Sequence, residues 1–390
     1  MRRTAVFFIL FFFAIPVLPS PPVVVSVQTL IDQVKAARKT GTSDGDLALK
    51  LSQLELSEEL TAGNSIAILD LLPGPLSKEQ LYVLEIRSAI LPPPASDLPN
   101  LTQPDETARQ AMLKRAETYV AGTFAQLPPL TAQHLVARFQ DGMEAVPDPR
   151  RGQQGVSDRG SPNPGIRLIN RHLDTGEVNA GVEKSTVFTE TRLDAPNDTR
   201  VSIDTPLSLP TVISDAVASE TLKFVRWQTV QGRILAVFSF AVEKRKSGLE
   251  LVYHQRTVQQ KVVSTEPQIG GDVGYDGVTS TTVGHEVWLD FKHRQVYSGT
   301  LFLQSETGVV FRVITEVNFQ PGDILHRQTV RTDYAAVSVS GAIRVVPIHI
   351  FTATDFVIYD AKSWAKSPVR QNFVTEDFTD YKFGTAQTTP

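Results

Sequence analysis

Seven histidines and a scatter of acids are the residues from which this chain could build a reactive centre, and their spacing argues against a local one. His134, His172, His254, His285, His293, His326 and His349 stand singly. A zinc motif on a helix needs two imidazoles three or four residues apart on one face. His285-Glu286 opens like H-E-x-x-H, but Leu289 occupies the place of the second histidine and the surrounding alternation is that of a strand. Gly41-Thr42-Ser43-Asp44-Gly45 matches G-x-S-x-G in letters. The nucleophile elbow needs a strand before the serine, whereas a helical pattern precedes this one, so Ser43 or Asp44 is read as the cap of the next helix. Gly271, Gly274 and Gly277 with Asp272 and Asp276 lack the lysine and hydroxyl of a phosphate loop. Counted as a calcium loop from Asp272, the position for the bidentate glutamate is Val283. No catalytic set, metal site or cofactor is therefore assigned. A dispersed site, for example His254, Asp272 and Asp290 gathered by the fold, is the form a hydrolase would have to take.

The aromatic residues Trp227, Phe238, Phe240, Tyr253 and Trp288 are the candidate binding set. On curved strands with their apolar sides turned the same way they would line a concavity for an acyl chain or another apolar small molecule. The plainer reading is that they are core beneath the helices, and sequence leaves both open.

The elements that would position these residues divide into a helical and a strand-forming part. Val27 to Arg38 places Leu30, Ile31, Val34 and Ala37 on one helical face. Asp46 to Leu60 continues with Leu47, Leu51 and Leu54, and Ser77-Lys78-Glu79-Gln80 has the spacing of a capping box before Val83, Ile86 and Ile90. Leu91-Pro92-Pro93-Pro94 stops that helix, and a longer one is expected from about Asp105 to Gln126. Residues 27–127 thus read as four or five short helices.

From Leu130 the period changes to two. HLVARFQ at 134–140 reads as a strand, and Asp148 to Gly165, rich in Pro, Gly and Arg, as a mobile loop. IRLINRHL is followed by an expected turn at Asp174-Thr175-Gly176, and Thr211 to Glu220 reads as one short helix. LKFVRWQTV and RILAVFSFAVE form a hairpin about Gln231-Gly232. The clearest pattern runs from Tyr297 to Phe351, an antiparallel meander with corners at Ser305-Glu306-Thr307-Gly308 and Gln320-Pro321-Gly322-Asp323. Within it Val309, Phe311, Val313, Val317 and Phe319 take one side of a strand with Thr315, and Arg312, Glu316 and Asn318 the other, as in a half-buried strand. The last stretch, from Ser367, has aromatics but no clear period, and is expected to wrap an edge or hang loose.

The 390 residues are 41% hydrophobic and 21% charged, with a net charge of −4, enough chain for a large core and no attraction for nucleic acid. Arg2 and Arg3 precede an apolar run from Ala5 to Leu18, broken by Pro16. That run is shorter than the roughly 20 residues that span a bilayer, so residues 1–26 are read as a secretory signal peptide, with an uncleaved anchor as the alternative. There is no cysteine, so neither a lipid-modified N-terminus nor a disulfide is available.

Three stretches carry a resemblance: LPPLTAQHLVARFQD at 127–141, RWQTVQGRILAVFSFAV at 226–242, and a spaced set comprising Tyr297-Ser298-Gly299, Glu306 to Arg312, Asp333-Tyr334, Val337 to Gly341 and Pro347. In these the chain resembles a family of exported acidobacterial proteins with an N-terminal helical region and a C-terminal β-rich half. The family has no assigned activity, so the resemblance implies architecture and export. The run of hairpins is also similar in pattern to the curved sheets of periplasmic lipoprotein carriers, which are shorter and lack the helical block.

The expectation is an α+β protein: a signal peptide at 1–26, a helical region at 27–127, and a large antiparallel β-sheet at 128–390 that could curve into a half-barrel. Its expected role is non-catalytic, in the periplasm or outside the cell, binding an apolar ligand or an envelope protein through the sheet, with no transmembrane span beyond the signal segment. A hydrolase with a dispersed site and a structural or assembly module are the alternatives.

Overall fold

The computed structural model describes residues 23–124, 127–141, 166–179, 182–184, 190–191, 201–204, 208–267, 278–319, 325–359 and 366–383. Residues 1–22 of the expected signal peptide, the loop at 148–165, the glycine-rich loop at 269–277 and the Gln320 to Asp323 turn lie outside these.

The helical region starts earlier than its expected boundary. β1 (Val23–Val25) lies parallel to β2 (Leu54–Leu56), and Ser26 caps α1 (Val27–Lys39) by accepting from the Thr29 amide at 3.2 Å. Residues 23–26, assigned above to the leader, are therefore part of the fold. Ser43 caps α2 (Asp44–Ser52) in the same way, and a cap of this kind stabilises a helix by about 1 kcal/mol. The helix expected to reach Leu60 ends at Ser52. Leu54 and Leu56 are buried with Glu55 between them, a period of two, and pairing with β1 satisfies their backbone.

α3 (Ala62–Leu69) leads to α4 (Pro75–Ser88). The expected capping box is not used, because α4 begins three residues sooner with proline at its first position. Its N-cap, Gly74, has no side chain to offer. Asp44 serves instead from the start of α2, accepting from the amides of Leu76 at 3.0 Å and Ser77 at 2.9 Å and from the Ser77 hydroxyl at 2.6 Å. Proline at the first position has no amide to satisfy and is preset for helix. After a short 3-10 turn, Ala95–Asp97, α5 (Glu106–Tyr119) is capped by Asp105 and runs into a π-helical turn, Val120–Phe124.

The strands follow as β3 (Leu130–Asp141), β4 (Ile166–Asn179), β5 (Val182–Lys184), β6 (Glu190–Thr191) and β7 (Val201–Asp204). Next come α6 (Leu209–Ser219), β8 (Lys223–Val230), β9 (Arg233–Val242), β10 (Glu250–Pro267) and β11 (Val278–Arg294). The chain continues through β12 (Tyr297–Leu303), β13 (Val310–Asn318), β14 (Leu325–Val339), β15 (Ala342–Tyr359) and β16 (Lys366–Phe383). Ten of them form one open antiparallel sheet in the order β5-β4-β3-β16-β15-β14-β13-β12-β9-β8. A four-stranded sheet, β11-β10-β7-β6, is built on a long hairpin inserted between β9 and β12, which pair directly through Val242 and Tyr297.

Two expectations are corrected here. Asp174-Thr175-Gly176 makes no turn but continues β4 in register with β3. The C-terminal stretch is neither loose nor at an edge: β16 lies inside the sheet, between β15 and β3, and so joins the start of the strand-forming part to its end.

Helices cover both sides of the large sheet. On one, Met112 and Ala116 of α5 and Val212, Ile213 and Ala216 of α6 pack on Phe238, Phe240, Leu301, Val313 and Val317. On the other, Ile86 and Tyr82 of α4 pack on Ala137, Phe139, Phe351 and Phe373. Each buried aromatic or leucine contributes about 1.5–3 kcal/mol, so both layers are held by apolar burial. Along β13 only Glu316 and Asn318 keep the expected contact with water; Arg312 is buried, and Val309 and Phe311, expected beside Val313 and Val317, pack instead with Phe302. Two-residue corners at Gln231-Gly232 and Ser340-Gly341, all with positive φ, suit the twist of hairpins. Gly308, at φ +73°, lies against the backbone of Arg115 and Ala116 where a Cβ has no room.

Candidate functional site

Beneath α4 the sheet carries a buried cluster of four charges. Glu59 leaves the turn between β2 and α3, where its amide donates to the Pro92 carbonyl at 2.7 Å. Arg312 stands opposite Asp333 in the β13–β14 register, and Arg331 lies two residues before Asp333 on the same side of β14. Glu59, Arg312 and Asp333 are each about 5% exposed or less. Arg312 donates to Asp333 through Nε and to Glu59 through Nη1, the latter at 3.3 Å. Arg331 Nη1 donates to Glu59 at 2.6 Å and to the Ala89 carbonyl at 2.9 Å, while its Nε and Nη2 reach Asp333 Oδ2 at 3.0 and 2.8 Å.

Two cations and two anions cancel, which is how charge is tolerated in a low-dielectric interior. Burial by itself would push the Asp333 carboxyl up; the Arg312 and Arg331 guanidiniums more than offset this and hold it well below the usual carboxylate range. The same two carboxylates keep Arg331 protonated against the opposing effect of burial. The Arg312 guanidinium also lies 5.5 Å from the centre of the Phe302 ring, its neighbour on β12.

The polar row continues across the strands from Arg312 and Asp333 to His349 and Asp377. His349 Nδ1 lies 2.7 Å from Asp377 Oδ1. From α4, Glu85 accepts from the Ser65 hydroxyl at 2.9 Å, and Tyr82 bonds Thr375 at 3.0 Å. Burial raises the Glu85 carboxyl, opposed by the Ser65 bond and by charge on His349 and Arg331. The arrangement fastens the helical region to the sheet through paired charges.

The opposite side of the same strands carries a different row. Gln328, Thr354, Asn372 and Gln140 are successive register partners across β14, β15, β16 and β3, and are 3, 5, 6 and 6% exposed. Gln328 Oε1 is buried without a hydrogen-bond partner. Arg138 shares this side, one row further along, beside Val374. Beyond it His134 stacks on Phe378 at 4.6 Å and bonds Glu376 at 2.7 Å. Buried polar groups are nearly always partnered, so an unpartnered one marks a place where something else supplies the bond.

The candidate aromatic set is split between the two sheets. Phe238 and Phe240 are 1 and 3% exposed under α5 and α6, Phe240 edge-on to Tyr297 at 5.9 Å, so these two rings line no open surface. Trp227 is half-buried against Phe224 at 5.5 Å, and its Nε1 donates to the Thr102 carbonyl at 2.9 Å. Tyr253 and Trp288 belong to β10 and β11 of the smaller sheet, opposite Phe291 and Arg256. His254 and Asp290 are direct partners in that hairpin, with Ser202 of β7 on the other side of His254, while Asp272 lies outside the described residues. Among the described residues no three His, Asp or Glu side chains converge as metal ligands, and no helix is long and apolar enough to cross a membrane.

Glu59, Arg331, Gln328 and Gln140 were not singled out by sequence reasoning, and Asp333 only as one position of the resemblance. The signal present was Arg331-Thr332-Asp333, opposite charges on one side of a strand in a meander whose neighbour carries Arg312. Nothing local indicated that Glu59 would join them. No protein-family model, curated protein or solved structure matches the chain.

Proposed function

We propose that this is an exported, non-catalytic protein of the bacterial envelope that binds a ligand or partner through its large sheet. The observation that carries the reading is the buried row Gln328, Thr354, Asn372 and Gln140, polar side chains set in a covered sheet with an unpartnered carbonyl oxygen. Helices fill the side over Phe238 and Phe240, so the reading rests on β14, β15, β16 and β3 and not on the aromatic strands. Export is supported by Arg2 and Arg3 before the apolar run Ala5 to Leu18 and agrees with a chain free of cysteine, for which an oxidising compartment poses no hazard.

The test is to express the full chain with a C-terminal tag in a bacterium with two membranes, fractionate the cells, and take native mass spectra of the protein recovered. An envelope fraction holding a shortened chain with a bound non-protein mass or a co-purified partner is the expected result. Full-length protein confined to the cytosol removes export, and protein carrying neither ligand nor partner removes binding.

A further inference from the structure

We infer that the groove between α5 and the β12–β13 corner is a binding site for a small monocarboxylate with an apolar body. The site lies apart from the polar row of the sheet and stands or falls independently of it.

The groove has a volume of about 520 Å³ and is open to solvent. Small-molecule sites commonly measure about 300–1,000 Å³. Ala111, Lys114, Arg115 and Thr118 are spaced three and four residues apart and so form a wall from one side of α5. Tyr119 follows on the same helix, and Thr307 comes from the corner. The two parts are fixed to each other: Gly308 lies against the backbone of Arg115 and Ala116, and Arg115 Nε donates to the Ser305 carbonyl at 2.9 Å. Met112 and Ala116 of α5 are meanwhile anchored in the core. The groove is thus formed without a ligand.

Charge selects the ligand class. Lys114 Nζ lies 3.2 Å from Glu117 Oε2, an exposed pair that cancels one positive charge. Among the described residues no carboxylate pairs with Arg115. Glu306, on the corner, is bonded to the Ser305 hydroxyl, and the Arg115 charge is the smallest of the influences on its carboxyl. With Nε held by the Ser305 carbonyl, the Nη1 and Nη2 fork of Arg115 is oriented and uncommitted, and a planar fork of this kind matches a carboxylate through two parallel bonds. One uncommitted cation favours a monoanion over a phosphate dianion.

Tyr119 adds a neutral donor. Its ring packs at the margin of the core, and burial pushes its phenol up to about 12, so the hydroxyl keeps its proton at physiological pH. The same ring, the Ala111 methyl and the methylene stems of Lys114 and Arg115 give the ligand's body an apolar lining to rest on.

The test uses the full chain and the variants Arg115→Gln and Tyr119→Phe. Phenylacetate, hexanoate and N-acetylphenylalanine are titrated by calorimetry and saturation-transfer NMR, with phenylacetamide and inorganic phosphate beside them. Saturable binding of at least one carboxylate is expected, weakened about tenfold in Arg115→Gln, which loses a charge-assisted pair, and about threefold in Tyr119→Phe, which loses one neutral hydrogen bond. Phenylacetamide should not bind. Should Arg115→Gln fail to fold, Tyr119→Phe decides, since it keeps the ring. Failure of all three carboxylates to bind overturns the site, and binding of equal strength in parent and variants places it elsewhere and overturns it too. Phenylacetamide binding as tightly as phenylacetate removes the carboxylate, and phosphate binding more tightly than all three acids removes the monoanion.

Discussion

Glu59 and Arg312 are 253 positions apart in the chain and meet at 3.3 Å with both side chains almost wholly enclosed. The contact ties a turn of the helical region to the middle of the sheet. Because Arg331 shares Glu59 with Arg312, and Asp333 faces both arginines, no member can be removed without leaving an unbalanced buried charge.

Glu59→Gln should therefore destabilise the protein by about 3–5 kcal/mol, the usual loss when one partner of a buried pair is removed. Denaturant unfolding of the two proteins measures it. A loss below about 1 kcal/mol would show that the arginines find compensation without Glu59, as expected of a solvated pair.

Gly308 and Gly232 both have φ +73°, yet only Gly308 is crowded, with the backbone of Arg115 and Ala116 where a side chain would go. Gly232→Asn should cost less than about 1 kcal/mol, since asparagine tolerates the left-handed region and nothing lies nearby. Gly308→Asn should cost more than about 2 kcal/mol, because the β12–β13 corner must lift from α5. Equal losses would mean that backbone preference, and not close approach, decides both.

β1 (Val23–Val25) pairs with β2, so a processed chain that keeps this pair should start at or before Val23. Deleting residues 1–22 keeps β1 and the Ser26 cap and serves as the reference. Deleting 1–26 removes β1 and the Ser26 cap and should cost about 1–3 kcal/mol, a cap plus one short strand pair. The intact mass of exported protein checks the first statement and denaturation of the two truncations the second. A mature chain beginning after Ser26 would show that β1 is dispensable.

What could be read from the sequence was what depends on neighbours in the chain. The meander from Tyr297 to Phe351 announced itself by alternation and by corners such as Ser305 to Gly308, and Ser43 was identifiable as a cap from its place before Leu47 and Leu51. What was missed depends on residues far apart. β16 carries Phe373 and Val374 on opposite sides, both buried, because helices lie above and β3 lies beside it, so no alternation marks it as a strand. Ser77 looked like a cap because the atom that replaces it belongs to Asp44, 33 residues earlier. The row Gln328, Thr354, Asn372 and Gln140 joins four strands whose order in space differs from their order in the chain, and each residue alone reads as an ordinary polar position.

The dependence of stability on pH should separate Asp333 from Glu85. Burial raises Asp333 and its two guanidiniums lower it by more, so its folded value lies below the ordinary value of about 3.9. Its contribution is thus complete above about pH 5 and is lost as the pH falls below about 4 toward the folded value. Glu85 has the opposite sign. Burial keeps its proton on in the folded chain at a pH where the unfolded chain, near 4.3, has released it, so its contribution declines as the pH rises from there through the folded value. The charged and titratable neighbours that set this are Arg331, His349 and Asp377. Glu85→Gln should flatten the decline on the alkaline side of that window and leave the acid limb in place. Asp333→Asn should lower stability at pH 7 by about 3–5 kcal/mol and flatten the acid limb. Urea midpoints from pH 3 to 8 for the three proteins provide the measurement. An acid limb that survives in Asp333→Asn would place the titrating group elsewhere and remove the charge cluster as the origin of acid sensitivity.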